Sequence, residues 1–150
     1  MAALNIPSEG ERVGRYMRTV TFGTATASPD VTITTTGTQT VALANINEAN
    51  VFVEKVEAQV IEALTSTVTI TIGDGDDADG YWTDTLFLPA STAATFNVAD
   101  TTVGYAAGKL YTSSDTIDIV ATGANSAGLA KVRITYFRGA DTDLAPDTST

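Results

Sequence analysis

The sequence predicts an all-β chain, folded as a two-sheet β-sandwich of jelly-roll-like form. Three observations carry that expectation. About one residue in six of the 150 is threonine, a β-branched residue suited to a pleated surface. Apolar residues alternate with polar ones at period two in four separate segments. Short strands are separated by Gly, Asp, Asn and Ser turn signals at the spacing of a sandwich.

The elements follow in order. Residues 1–18, with Pro7, Gly10 and Gly14, read as an extended N-terminal arm. Ser8 and Glu11 have capping-box spacing, but the two glycines oppose a helix. The sandwich domain occupies 19–138, and its first strand, predicted over 16–26, overlaps the end of the arm. In "VTITTT" (31–36), Val31 and Ile33 share one face and Thr32, Thr34 and Thr36 the other. A further strand is expected over 39–44.

Residues 51–64, "VFVEKVEAQVIEAL", are ambiguous. Val53, Val56, Val60 and Leu64 also fit one stripe of a helix. The β-branched and aromatic opening "VFVEKV" favours a strand, which puts Glu54, Glu57 and Glu62 on a solvated face. "TVTITI" (67–72) sets Val68, Ile70 and Ile72 opposite three threonines. Strands are expected over 81–88 and 92–98. "DTIDIV" (115–120) sets Ile117 and Ile119 against Thr116 and Asp118. In "AKVRITYF" (130–137), Ala130, Val132, Ile134 and Tyr136 face the core, with Lys131, Arg133, Thr135 and Phe137 opposite. Residues 139–150, "GADTDLAPDTST", read as a flexible acidic C-terminal tail.

Composition narrows the chemistry. There is no cysteine and no histidine, which removes thiolate nucleophiles, Ser-His-Asp and Cys-His arrangements, and zinc sites built on those ligands. An enzyme is not expected. The net charge of −10 opposes binding to nucleic acid and to anionic membrane surfaces, and neither is expected as a partner. No apolar run reaches the roughly 18–20 residues of a membrane span, and the N-terminus lacks the apolar stretch of a secretory signal. The chain reads as soluble and carries no targeting signal.

Charge is unevenly distributed. Residues 1–20 carry Arg12, Arg15 and Arg18 against Glu9 and Glu11, whereas the remainder holds 5 basic and 16 acidic side chains. Three arginines at intervals of three suit pairing with carboxylates of a partner subunit. Phe137 is a second candidate contact, because its parity places an aromatic ring on the polar face of its strand.

The densest cluster of chemically capable residues is "TITIGDGDDADGYW" (69–82). An EF-hand count from Asp74 puts Asp76 at position 3, but Ala78 at 5, Asp79 at 6 and Thr85 at 12, so it fails at three places. Asp74, Asp76, Asp77 and Asp79 are the residues that a looser calcium site would use. Gly73 and Gly75 give G-x-G, yet Gly80 comes too late for a dinucleotide fingerprint. The expected reading is a turn, with Gly and Asp supplying its backbone. No cofactor is assigned.

Monomeric sandwiches guard open edges with lysine, proline or bulges. This chain has three lysines and four prolines, so its faces and edges are expected to be covered by other subunits.

The segments "STVTITIGDGDDADGYW" and "GKLYTSSDTIDIVATGANSAGLAKVRITYFRG" (66–82 and 108–139) resemble small β-rich virion proteins of tailed bacteriophages. The shared features are an alternating strand ending in Gly73–Gly75, an Asp79–Gly80 turn, the run from Gly108 to Ile117, and the closing strand from Gly128 to Tyr136. The resemblance covers about half the chain. It implies a capsid decoration (cement) protein on the virion exterior, synthesised in the host cytoplasm. The implied partners are the major capsid protein and further copies of the chain, as a trimer rather than a dimer. Arg12, Arg15 and Arg18 would then lie on a docking arm. Two alternatives stand beside it: a trimeric head-fibre, spike or tail-associated phage module, and a calcium-dependent carbohydrate-binding module using the aspartate loop.

Overall fold

The computed structural model describes residues 15–33, 37–65, 68–83, 92, 95–98 and 103–138. Nine strands are defined among them: β1 (Arg15–Gly23), β2 (Val31–Thr32), β3 (Thr38–Ile46), β4 (Val51–Glu62), β5 (Thr69–Gly73), β6 (Asn97–Val98), β7 (Lys109–Tyr111), β8 (Asp115–Thr122) and β9 (Leu129–Arg138). One 3-10 turn, Ala25–Ala27, separates β1 from β2.

The fold is all-β, with two facing sheets. The larger runs β2-β1-β9-β4-β6, with β7 also paired to β4; the smaller runs β3-β8-β5. The first long strand lies beside the last, and β3 to β6 alternate between the sheets, an interleaving compatible with a jelly-roll-like fold. The arm and tail lie outside the described residues over 1–14 and 139–150. The boundary at 18 needs correction: β1 starts at Arg15 and pairs with β9 along its whole length, so residues 15–18 belong to the sheet.

Alternation places the core between the sheets. Phe22, Val132, Ile70, Ile72, Ile117 and Ile119 are fully enclosed there. Trp82 leaves the β5 turn and forms an antiparallel bridge with Ile72. Its indole Nε1 donates to the Val56 carbonyl at 2.9 Å, tying the smaller sheet to the larger. Trp82 and Tyr111 are core residues.

Residues 51–62 are a single 12-residue strand. Its helix-like spacing has a specific origin. The pairing with β9 shifts between Val53 and Lys55, and again between Val60 and Glu62. Each extra residue reverses the side on which the next side chain emerges. Val53 and Val56, three apart, therefore both point into the core and are 1% exposed. A third such shift, in β3 between Ala42 and Ala44, leaves Leu43 and Ala44 both buried.

Two expectations about the polar faces are overturned. Glu57 does not lie on a solvated face: it is 4% exposed and held by Arg133 and Lys55. Thr135, on the polar side of β9, is wholly enclosed, flanked in register by Met17 and Lys55. Strand β7 was not anticipated, since three residues are too few for a period to register.

Candidate interaction surface

The outer face of the larger sheet collects apolar side chains into one row. In register, Arg15 stands opposite Phe137, Phe137 opposite Phe52, and Phe52 opposite Leu110. Directly opposed residues of neighbouring strands project to the same side of a sheet. The row therefore crosses β1, β9, β4 and β7 on one surface. The Phe52 and Phe137 rings lie 6.5 Å apart between centroids. Leu110, at the end of the row, is 53% exposed, and Met17, in the next row, is 68% exposed.

Local sequence explains the placement. Phe52 sits between Val53 and Val51, both buried, so strand parity turns it outward. Leu110 likewise lies between Lys109 and buried Tyr111. Phe52 also needs Gly108 beneath it. Gly108 has φ +88°, and a Cβ at that position would touch the Phe52 ring.

A charged cluster borders the apolar row. Arg133 Nε donates to Glu57 Oε2 at 2.7 Å, and Lys55 Nζ donates to Glu57 Oε1 at 3.2 Å. The Phe96 ring covers the Arg133 guanidinium at 4.3 Å. The Arg133 hydrogen bond, assisted by Lys55, outweighs burial and holds the Glu57 carboxyl below its usual range. Apolar side chains rimmed by satisfied charges are the composition of a protein–protein contact.

Arg15 and Arg18 do not share a face. Arg12 lies outside the described residues. Arg15 points outward and its Nε donates to Glu54 Oε2 at 2.9 Å, an exposed pair worth about 0–1 kcal/mol. Arg18 stands in register with inward-facing Ile134, on the opposite side of the strand. A spacing of three separates side chains in a strand as surely as it aligns them in a helix. Phe137, by contrast, is where parity placed it, partly exposed on the polar face.

The aspartate loop is a turn with a lysine at its centre. Asp74 Oδ1 accepts from the backbone N–H groups of Asp76 and Asp77, both at 3.0 Å, and from Tyr105 Oη at 2.9 Å. Asp74 Oδ2 accepts from Lys109 Nζ at 2.5 Å and from Tyr111 Oη at 2.7 Å. Five donors thus saturate the carboxylate whose side chain is fully buried. Burial pushes the Asp74 pKa up, but Lys109, the two tyrosines and the Asp77 N–H together hold it below the normal carboxylate value. Lys109 is itself desolvated, yet Asp74, Tyr105 and Asp76 raise its pKa.

The lysine ammonium supplies the positive charge that a bound metal would have supplied. Asp76 is directed to Lys109 Nζ at 3.0 Å, and the Asp79 carboxyl beside Asp77 raises the Asp77 pKa. Among the described residues, no group of three acidic side chains converges to hold a metal ion. The four candidate calcium ligands are not assembled into one site.

Sequence reasoning missed Met17, Phe52 and Leu110. The signal was present for Met17 and Phe52, each a large apolar residue on the polar parity of its strand, the argument already applied to Phe137; Leu110 offered none, because β7 is too short for a period to register.

The chain is similar in structure to a chain of the cyanophage Pam1 capsid asymmetric unit, with a TM-score of 0.58. That similarity covers 91% of this chain and 94% of the other at 19% sequence identity. The two share a fold. A chain of the acid-stable capsid of Helicobacter pylori bacteriophage KHP30 aligns with a TM-score of 0.48 over 82% of this chain and 86% of that one, at 17% identity. No protein-family model matches the sequence, and no curated protein is similar to it.

Proposed function

We propose that the protein is a structural component of a phage virion, which decorates the capsid by docking on the major capsid protein. The observation that carries this reading is the row Phe137–Phe52–Leu110 with Met17 beside it, an apolar surface left open across four strands of a folded sandwich. A body of this kind works by surface complementarity. On a pre-assembled lattice, many modest contacts gain about 10²–10⁴ in apparent affinity through effective concentration. The shared fold with a capsid chain supports the same reading. Association of several copies, with a trimer as the simplest closed ring, would multiply those contacts. Arg15, at one end of the row, and the preceding residues, including Arg12, would reinforce the docking.

The test is co-sedimentation of the purified protein with capsids of its own phage that lack it. The wild-type chain binds. A Met17→Glu, Leu110→Glu variant, folded by circular dichroism, loses most of its occupancy. Equal occupancy of variant and wild type would remove this face from the docking surface.

A further inference from the structure

Strand β3 is a sheet edge. It pairs with β8 on one side and, among the described residues, with no strand on the other. Other edges of the molecule are protected. The free side of β1 carries Arg15 and Arg18, and its Thr21 N–H donates to Asp30. The free side of β5 is bridged by Trp82, which exchanges backbone hydrogen bonds of 3.0 and 2.9 Å with Ile72. Strands β2, β6 and β7 are only two or three residues long.

β3 has none of these devices. Its nine residues, TQTVALANI, include no lysine, no proline and no charge. The strand lies within residues 31–47, the longest stretch of the chain free of charged side chains. In a chain of net charge −10, this is the segment that two copies bring together with least repulsion.

The strand also suits a symmetric contact. The register shift between Ala42 and Ala44 leaves Thr38–Ala42 as the regular part of the edge. Thr38, Thr40 and Ala42 are exposed on its outer side, while Val41 packs toward the core. Antiparallel pairing of this stretch with itself, about a two-fold axis at Thr40, sets Thr40 opposite Thr40, Thr38 opposite Ala42 and Gln39 opposite Val41. Every facing pair is uncharged, and the exposed side chains are small. Gln39 supplies an independent observation. Its Oε1 is enclosed and has no hydrogen-bond partner among the described residues, a cost that native structures rarely leave standing. In the paired arrangement the two Gln39 side chains occupy diagonal positions about 7–8 Å apart, a distance that long side chains span. Each amide N–H then meets the other's Oε1.

We propose that β3 is a docking edge for a second copy of the chain: two β3 strands pair antiparallel about Thr40 and join two three-stranded sheets into one. Main-chain hydrogen bonds supply the affinity, as in strand addition generally. The contact closes on itself, because it consumes both β3 edges and Trp82 blocks growth at β5. β3 belongs to the smaller sheet, so the apolar row on the larger one stays free.

The chain has no cysteine, so one introduced thiol reports the contact in the full-length protein. On mild oxidation, Thr40→Cys forms a disulfide-linked pair, whereas Thr69→Cys, exposed on the outer face of β5, forms about tenfold less. Charge provides a second arm. Thr40→Lys and Thr40→Glu, each folded by circular dichroism, set like charges against each other across the axis. Each weakens association in sedimentation velocity by about tenfold or more, and a one-to-one mixture of the two restores it. The wild-type protein sediments as an even number of chains. A monomer or an odd-numbered assembly, equal disulfide yields at the two positions, or a mixture that associates no better than either variant alone would overturn the proposal. No capsid enters the experiment, so its outcome is independent of the docking test.

Discussion

Lys109 and Asp74, 35 residues apart, meet with Nζ 2.5 Å from Oδ2 at the edge of the core. The contact joins the β5 turn to β7, and with Tyr81, Tyr105 and Tyr111 it converts an acidic loop into part of the scaffold. Lys109 also lies against two rings, 4.5 Å from the Tyr105 centroid and 4.9 Å from that of Tyr111.

Lys109→Met is therefore expected to destabilise strongly. It leaves the Asp74 carboxylate buried without its cation, which costs about 3–5 kcal/mol in comparable pairs. Asp74→Asn combined with Lys109→Met should cost less than the two single changes added together. Urea unfolding of the four proteins measures this. Calcium at millimolar concentration should leave the wild-type midpoint unchanged, and a rise would restore the metal reading.

Acid should weaken the fold through two carboxylates. Asp74 and Glu57 both have folded-state pKa values below their unfolded ones. Their stabilisation is complete well above the unfolded values of about 3.9 and 4.3, and is lost as pH falls through the lower folded values. The melting temperature should hold from about pH 7 to 5 and decline below about 4. Arg133→Met, which removes the main partner of Glu57, should lower the plateau and flatten that decline. A melting temperature that rises on acidification would contradict the ion-pair account.

The two glycines of "GDG" should behave oppositely. A Cβ on Gly73 would overlap the Asp77 carbonyl oxygen, a backbone atom that cannot yield without breaking the turn. A Cβ on Gly75 would meet nothing within 4 Å. Gly73→Ala should unfold the turn and cost more than about 2 kcal/mol, while Gly75→Ala should stay within about 0.5 kcal/mol. Thermal melts distinguish them, and equal effects would refute the close approach.

The extra residue in β4 should be dispensable to the core. Deleting Glu54 leaves Val53, Lys55 and Val56 consecutive, so strict alternation keeps both valines inward in their present register with β9. That variant should still melt cooperatively. Deleting Glu54 and Lys55 together makes the valines neighbours, turns one of them outward and should abolish the cooperative melt. Val56→Ala, which keeps the register, should lose about 1–3 kcal/mol. Loss of cooperative melting in the single deletion would refute this account of the register.

Much of the fold was legible because alternation is a local property. Ile70, Ile72, Ile117, Ile119, Val132 and Ile134 can be assigned to the core from their neighbours alone. The segment 51–62 resisted because an extra residue in a strand imitates the spacing of a helix, and only the facing strand β9 reveals it. Glu57 looked solvated for a related reason: strand parity says which way a side chain points, but not that Arg133 and Phe96 will close over it.

Chain order and local pattern thus determined by themselves that this is a β-sandwich, which residues line its interior, and that residues 74–80 turn the chain. Tertiary structure alone decided that Lys109 would fill that turn. It alone aligned Phe137, Phe52 and Leu110 into one surface and parted Arg15 from Arg18. The division is physical: period and turn chemistry act between neighbours in sequence, whereas register and through-space pairing arise only when distant strands meet.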